Sequence, residues 1–174
     1  MNIKIREEKE SDFASVYEIN KTAFGQDMEA DLVDSLRKNT EVFIPELSMV
    51  ATIDNEVVGH ILFTKIKIVN SSLEEFESLA LAPMAVKPGL QKNGIGGQLI
   101  KSGLNKAREL NFRSVIVLGH EHYYPNFGFI PADKWNIKSP FDVPSNVFMG
   151  LELVEDGLKN ISGTVKYSKE FETP

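Results

Sequence analysis

Two short stretches of this sequence contain the residue types best suited to chemistry. The first, Gln91-Lys92-Asn93-Gly94-Ile95-Gly96, separates an apolar run from a helical pattern. The second, His120-Glu121-His122-Tyr123-Tyr124, precedes a Phe-Gly-Phe sequence and combines imidazole, carboxylate and phenol groups. Glycines let the backbone N–H groups at a helix start approach an anion, and the groups of the second stretch can hold or transfer protons. The first stretch therefore predicts an anion site.

The glycine loop fits a phosphate group in general better than it fits two familiar nucleotide motifs. The first amides of a helix have no intrahelical acceptor and lie at the positive end of the helix dipole, and Lys92 adds a positive charge. A Walker loop needs Lys-Ser or Lys-Thr where Gly97-Gln98 stands. The dinucleotide fingerprint needs a small residue where Leu99 stands. A tight turn that binds nothing is the remaining alternative for this loop taken alone.

The context of the loop resembles the core of the GNAT acetyltransferase family. That family has an apolar strand ending in Val-x-Pro, then Gln or Arg, two variable residues, Gly, one variable residue, and Gly or Ala. Here Val86-Lys87-Pro88 ends the strand, and Gln91, Gly94 and Gly96 occupy the three diagnostic positions. The C-terminal stretches 129–132, 148–153 and 163–167 resemble the YhbS-like branch of bacterial acetyltransferases.

This resemblance implies how a coenzyme binds. In the family, the loop amides hold the pyrophosphate of coenzyme A, and the end of the preceding strand holds the pantetheine arm. The Met84 amide is implied as the donor to the thioester carbonyl, and the strand is implied to splay from its neighbour. The implied coenzyme contacts are Met84, Ala85, Val86, Gln91, Lys92, Asn93, Gly94, Ile95, Gly96, Gly97, Asn126 and Phe127.

The resemblance also implies a general acid. Many GNAT enzymes carry a tyrosine four residues before Gly-Phe, and Tyr124 stands at that spacing from Gly128. Its implied role is to protonate the leaving thiolate of coenzyme A, while Tyr123 is expected in the core. For the general base the first candidate is Glu77, and a water chain is a further possibility. The other candidates are Glu121, His120 and His122, whereas His60, within an apolar strand, is expected to be a core residue.

The elements that position these groups alternate between strands and helices. We expect strands at 3–5, 48–53, 57–69, 78–86, 114–119, 147–154 and 163–167. Apolar residues at helical spacing predict helices from Phe13 to Ala23, from Met28 to Leu36 and from Ile95 to Leu110. Pro83 predicts a bulge in its strand, Pro45 is expected to end the chain segment before the 48–53 strand, and 70–77 and 131–144 are expected to be irregular.

This order predicts one α/β (α+β) domain spanning residues 1–174. The sheet is expected to be mixed and mostly antiparallel, with a central, splayed pair of parallel strands flanked by helices. The resemblance identifies this arrangement as the GNAT acyl-CoA N-acyltransferase fold.

Composition narrows the range of functions. The 174 residues include no cysteine, so disulfides, thiolate zinc sites and cysteine nucleophiles are excluded, and three histidines give no zinc spacing. A net charge of −6 argues against a nucleic-acid partner. No apolar stretch has the length of a membrane span, and Met1–Glu7 lacks the apolar core of a signal peptide. A cytoplasmic protein without a metal is expected.

We therefore expect an N-acetyltransferase that takes acetyl-CoA and a primary amine. The acceptor is either a small amine or a protein amino group. A catalytically silent acyl-CoA sensor of the same fold, a partner-dependent subunit and transfer of a longer acyl chain are the alternatives. The resemblance leaves a homodimer open.

Overall fold

The structure, a computed structural model that describes residues 1–172, is organised by a nine-stranded mixed sheet. Its main path has the strand order β1-β2-β3-β4-β5-β8-β6, while β9 pairs with β3 and β7 with β9. All pairs are antiparallel except β4–β5 and β7–β9. The strands are β1 (Ile3–Glu7), β2 (Phe43–Ile53), β3 (Glu56–Val69), β4 (Glu75–Val86), β5 (Ser114–Leu118), β6 (Ile130–Pro131), β7 (Ile137–Lys138), β8 (Phe148–Glu152) and β9 (Gly163–Lys166).

Helices cover both faces of this sheet. They are α1 (Phe13–Phe24), α2 (Met28–Arg37) and α3 (Ile95–Glu109), and short 3₁₀ helices include Tyr124–Phe127. Successive residues of a strand point to opposite faces. On β3, Leu62 packs with the apolar residues of α1 and α2, whereas Phe63 packs with those of α3. The glycine loop therefore leads into a helix on the face opposite to α1 and α2.

The central strands β4 and β5 pair over a short distance and then separate. Their registered pairs are Leu79 with Val115 and Ala80 with Ile116. Beyond these pairs, β4 runs on to Val86 without a β5 partner. The predicted splay of the parallel pair is therefore present, and it opens toward the carboxyl ends of both strands.

Pro83 lies at an irregularity in the pairing of β4, as a proline within a strand predicts. The β3–β4 register passes from Ile61 opposite Met84 to Phe63 opposite Leu81, so the two intervening residues of β4 face one residue of β3. A proline has no N–H for the ladder, and a bulge removes the need for one. The predicted fold class is confirmed, including the mixed sheet and its central parallel pair.

Three expectations about element boundaries were wrong. Pro45 does not end a segment but lies inside β2, where it is exposed and sits at the register shift between Phe43 and Ser48. The predicted loop 70–77 ends early, because β4 begins at Glu75 and pairs with the end of β3. The irregular segment 131–144 contains β7, which pairs with β9. A proline interrupts the first of these segments, two glutamates lie in the second, and the third has only two residues, so hydrophobic alternation does not mark them.

Candidate active site

The glycine loop presents open backbone amides where β4 leads into α3. Gly94 is the N-cap residue of α3 with φ = 83°, a left-handed conformation that favours glycine, and Lys92 is also left-handed with φ = 65°. Among the described residues, no backbone N–H from Gln91 to Gly94 has a well-formed backbone acceptor. The first-turn amides of α3 are free by helix geometry. The loop therefore offers a row of donors to an anion.

A cavity of about 470 Å³ opens beside these amides. It occupies the gap left by the splayed strands, between the end of β4, the start of α3, the end of α1 and the segment after β5. The side chain of Lys92 places a positive charge at its edge. Its lining residues are Ala23, Phe24, Met84, Ala85, Val86, Leu90, Gln91, Lys92, Gly94, Ile95, Gly96, Gly97, Tyr123 and Phe127.

The cavity gathers the predicted coenzyme contacts except Asn93 and Asn126. The Asn93 carboxamide donates to the carbonyls of Leu90 and Gln91, so it braces the loop from within. The Asn126 carboxamide donates to the carbonyl of His122 at 3.3 Å. Both side chains are turned toward their own backbone, and neither lines the cavity.

The two tyrosines occupy different layers of this site. Tyr123 lines the cavity, and its hydroxyl lies 2.9 Å from where a Cβ on Gly96 would stand. The Tyr123 and Tyr124 rings meet edge to face at 5.2 Å. The Tyr124 ring packs so closely over Gly119 that a Cβ there would lie 2.4 Å from it. Only a glycine at position 119 leaves room for this ring.

The Tyr124 side chain is 8% exposed and is absent from the lining of the cavity. Burial, with a smaller contribution from Tyr123, raises the pKa of its phenol to about 12. A phenol with this pKa is protonated at neutral pH. Within residues 1–172, the Tyr124 hydroxyl is not a fully enclosed group without a hydrogen-bond partner. Burial also raises the pKa of Tyr123.

Glu77, the first candidate for the base, lies away from this cavity. It stands near the amino end of β4, whereas Met84 stands near the carboxyl end, and its carboxylate lies 3.8 Å from Lys65 Nζ. It lines a different cavity of about 880 Å³ together with Tyr167 and Glu170. A strand advances about 3.3 Å per residue, so the seven-residue separation takes Glu77 out of reach of the glycine loop.

The other candidate bases lie closer to the glycine loop. His120, Glu121 and His122 line a recess of about 590 Å³ at the carboxyl end of β5. Tyr123 belongs to the walls of both the recess and the cavity. His60 is instead fully buried under α1, where its Nε2 lies 3.0 Å from Ser48 Oγ, as expected for a core residue.

Four of the cavity residues, Ala23, Phe24, Leu90 and Tyr123, were not predicted as contacts. Phe24 ends α1 and is 42% exposed, which is unusual for a large apolar side chain unless it borders a site or an interface. Its place in the sequence gives no hint that α1 ends beside the splayed strands. The two adjacent tyrosines, Tyr123 and Tyr124, are apparent in the sequence. The spacing from Gly128, however, pointed only to Tyr124 as a site residue.

Residues 1–172 contain neither a metal-binding cluster nor a membrane-spanning helix. Within residues 1–172, no group of three or more His, Asp or Glu side chains is arranged to hold a metal ion. No helix in the same range has the length and hydropathy needed to cross a membrane.

A splayed parallel strand pair with a glycine loop at its open end defines a class of acyl-CoA-dependent transferases. Comparison with known proteins agrees with this class. The model of the acetyltransferase (GNAT) family matches residues 13–129, and the chain belongs to this family.

Individual relatives extend the similarity over nearly the whole chain. The uncharacterized N-acetyltransferase YjhQ of Escherichia coli is 39% identical over 135 residues, which are 77% of this chain and 74% of that protein. The uncharacterized N-acetyltransferase YhbS of E. coli is 28% identical over 168 residues, or 96% of this chain and 97% of the relative.

Solved structures share the fold. The crystal structure of E. coli YhbS in complex with CoA has a TM-score of 0.90 and 26% identity, covering 99% of this chain and 93% of that one. A GNAT acetyltransferase from Brucella melitensis in complex with acetyl-CoA has a TM-score of 0.78 and 30% identity, covering 98% of both chains.

Proposed function

We propose that this acetyltransferase moves the acetyl group of acetyl-CoA to a primary amine by direct attack within a ternary complex. The observation that carries the proposal is the row of unpaired amides from Gln91 to Gly94, continued by the first turn of α3, at the edge of the cavity. Converging N–H donors at a helix start are suited to a diphosphate. The related YhbS and Brucella structures, which hold CoA and acetyl-CoA, support this ligand.

The pantetheine arm would run through the gap between β4 and β5. Beyond Ala80, the edge of β4 facing β5 has no strand partner, so its backbone groups are available to the amides of the arm. Met84, Ala85 and Val86 line the cavity along this edge. In this placement the Met84 amide is the donor to the thioester carbonyl.

The reaction then needs only proton transfers from the protein. The amine nitrogen attacks the thioester carbonyl carbon, a C–N bond forms, and the C–S bond breaks with its electron pair going to sulfur. The acceptor nitrogen loses a proton to a base, and the thiolate takes one from a phenol. We propose Tyr124 as this acid, because it has the expected spacing and is protonated at neutral pH.

The base is best sought beside Tyr123. Glu77 lines another cavity and is paired with Lys65. His120, Glu121 and His122 line a recess, and Tyr123 belongs to the walls of both this recess and the cavity beside the glycine loop, here called the coenzyme cavity. We propose that the proton leaves through one of these three groups or through water in their recess. Glu77 has no role in this mechanism.

Calorimetry with acetyl-CoA tests the proposal directly. The wild-type protein is expected to bind acetyl-CoA with micromolar affinity, and Gly94→Trp is expected to abolish binding because the indole fills the cavity. Gly89→Trp is the matched control, since Gly89 has a similar φ of 92° in open space but does not line the cavity. Absence of binding by the wild-type protein would refute the proposal.

Turnover separates an enzyme from a sensor. Thiol release from acetyl-CoA should be stimulated by at least one member of a panel of primary amines, and mass spectrometry of the product should show a gain of one acetyl group. Coenzyme binding without release for any amine would instead identify an acyl-CoA sensor of the same fold.

A further inference from the structure

The recess at the carboxyl end of β5 has the properties of a binding site for an organic cation. It measures about 590 Å³ and shares Tyr123 with the coenzyme cavity. The two spaces therefore meet at one aromatic residue. A molecule bound in the recess would lie beside the site at which the proposed acetyl transfer occurs.

The fixed charge of the recess is negative. Among residues 1–172, Glu121 is the only carboxylate that lines it, and no lysine or arginine of that range contributes to its lining. Within the described residues, Glu121 has no lysine or arginine partner, and its one ion-pair contact is with His122 Nε2 at 3.3 Å. The Asn146 carboxamide donates to the same carboxylate and so holds it in place. The Glu121 side chain is 38% exposed and can therefore accept a further hydrogen bond.

The walls around this carboxylate are largely apolar. Leu118 is 42% exposed at the end of β5, and Val143 and Val147 are half-buried beside it. Partly exposed aliphatic side chains around one oriented carboxylate suit a ligand with an ammonium group and an apolar body.

We infer that this recess is the acceptor site and that it takes a primary amine with one positive charge and an apolar body. The inference rests on the proposed function and adds the place and chemical class of the acceptor. Glu121 binds and positions the ammonium group through a charge-assisted hydrogen bond. The apolar body lies against Leu118 and Val147, so the nitrogen is held on the Tyr123 side of the recess.

The test is a titration of the ¹⁵N-labelled full chain, saturated with CoA, with phenethylamine as the probe, followed by NMR. Saturable shifts are expected at the amides of residues 118–123. The apparent Kd should rise about tenfold in Glu121→Gln, as expected for loss of a charge-assisted contact. It should also rise in Leu118→Lys, which adds a like charge at an exposed position. Phenylpropionate, which has a similar body but a negative charge, should leave the same amides unshifted.

Glu155→Gln is the control variant, because Glu155 is an exposed carboxylate outside the recess and the substitution changes the charge equally. It should bind phenethylamine as the wild-type protein does. The inference is overturned if the wild-type amides 118–123 do not shift, if the shifts lie elsewhere, or if Glu121→Gln leaves the Kd unchanged. Failure of CoA to bind in calorimetry would refute the proposed function separately, because the amine titration can be repeated without CoA.

Discussion

At the scale of single residues, two properties that a catalytic acid needs are found on different tyrosines. One property is contact with the cavity, and the other is a phenol that keeps its proton. Tyr123 lies in the wall of the cavity beside the glycine loop, whereas Tyr124 is buried against Gly119, and burial raises the pKa of its phenol to about 12. Their rings pack edge to face, so a substitution that removes one ring also removes a packing contact of the other. Substitution with phenylalanine keeps the ring packing and removes only the hydroxyl.

Tyr124→Phe is expected to lower kcat by about 10²-fold or more, the usual contribution of a general acid, with little change in the KM for acetyl-CoA. Tyr123→Phe should chiefly raise that KM, because its hydroxyl lies beside Gly96 at the cavity wall. Steady-state kinetics of thiol release measures both variants. The reverse pattern would make Tyr123 the acid.

The pH profile of the wild-type enzyme gives a second test of the acid. Burial raises the pKa of Tyr124 to about 12, so the phenol keeps its proton well above the ordinary tyrosine pKa of about 10. We expect no loss of kcat from deprotonation of this group as the pH rises from about 8 to about 10. A decline with an apparent pKa near 10 that disappears in Tyr123→Phe would contradict the assignment to Tyr124.

Most residues predicted as coenzyme contacts line one cavity, because they lie on the end of β4 and on the glycine loop that follows it. The surroundings of individual side chains could not be predicted in this way. Asn93 was expected at the ligand, yet its carboxamide satisfies loop carbonyls. Glu77 was expected near the reaction, yet strand geometry places it at the far end of β4.

At the scale of elements, the position of α3 decides whether the loop amides face the gap between β4 and β5. The helix approaches β3 closely at Gly103, where a Cβ would lie 2.2 Å from Phe63 Cε1. Phe63 is fully buried, so it has no free space into which to move. The contact of this glycine with one ring therefore sets the distance between helix and sheet.

Gly103→Ala is expected to destabilise the protein by about 1–3 kcal/mol, the usual cost of overpacking a core, even though alanine is the better helix former. Chemical denaturation measures this change. Ser102→Ala, one position along the same helix, is the control and should not lower stability. An equal or higher stability of Gly103→Ala would show that α3 and Phe63 can separate at little cost.

Elements with strong apolar periodicity were predicted close to their observed bounds, and those that depend on pairing were not. The α3 pattern placed its start at Ile95, where the helix begins. β4 begins with Glu75, Phe76 and Glu77, and this charged segment is strand because it pairs with β3, including the Lys67–Glu75 contact of 3.0 Å. Pairing with the preceding strand, β3, supplied what the local pattern lacked.

At the scale of the whole molecule, a buried polar cluster joins the residue that follows β1 to β2, β3, α1 and α2. The Glu8 carboxylate accepts from Arg37 Nε at 2.8 Å and from Arg37 Nη2 at 3.0 Å. The fully buried His60 ring lies between Ser48 Oγ and Asn20 Nδ2, with Glu8 Oε2 3.7 Å from its Nε2. Burial lowers the pKa of His60 from 6.5 to about 4, and the opposing attraction of Glu8 is smaller.

This cluster predicts a loss of stability in mild acid. Between pH 6.5 and about 4 the unfolded chain binds a proton at residue 60 that the folded protein does not. The stabilisation is therefore complete above pH 6.5, and the free energy of unfolding falls by up to about 3 kcal/mol as the pH drops through this window. Urea denaturation across the window measures the slope.

His60→Gln should flatten this slope, whatever its effect on stability at neutral pH. His122→Gln is the matched control, since the side chain of His122 is 92% exposed, and it should keep the wild-type slope. An unchanged slope in His60→Gln would mean that another group binds the proton in this pH range.

The sequence by itself determined the family, the mixed sheet with its parallel pair, and the main-chain groups of the glycine loop. These features follow from local requirements: apolar periodicity, positive φ at Gly94, and a proline that cannot pair in a ladder. Only the tertiary structure decided that Tyr123 lines the cavity beside the glycine loop, that Glu77 lines another cavity, and that Glu121 lines a recess with apolar walls. The physical reason is that a side chain's surroundings come from elements distant in sequence, whereas a backbone conformation is set by its neighbours.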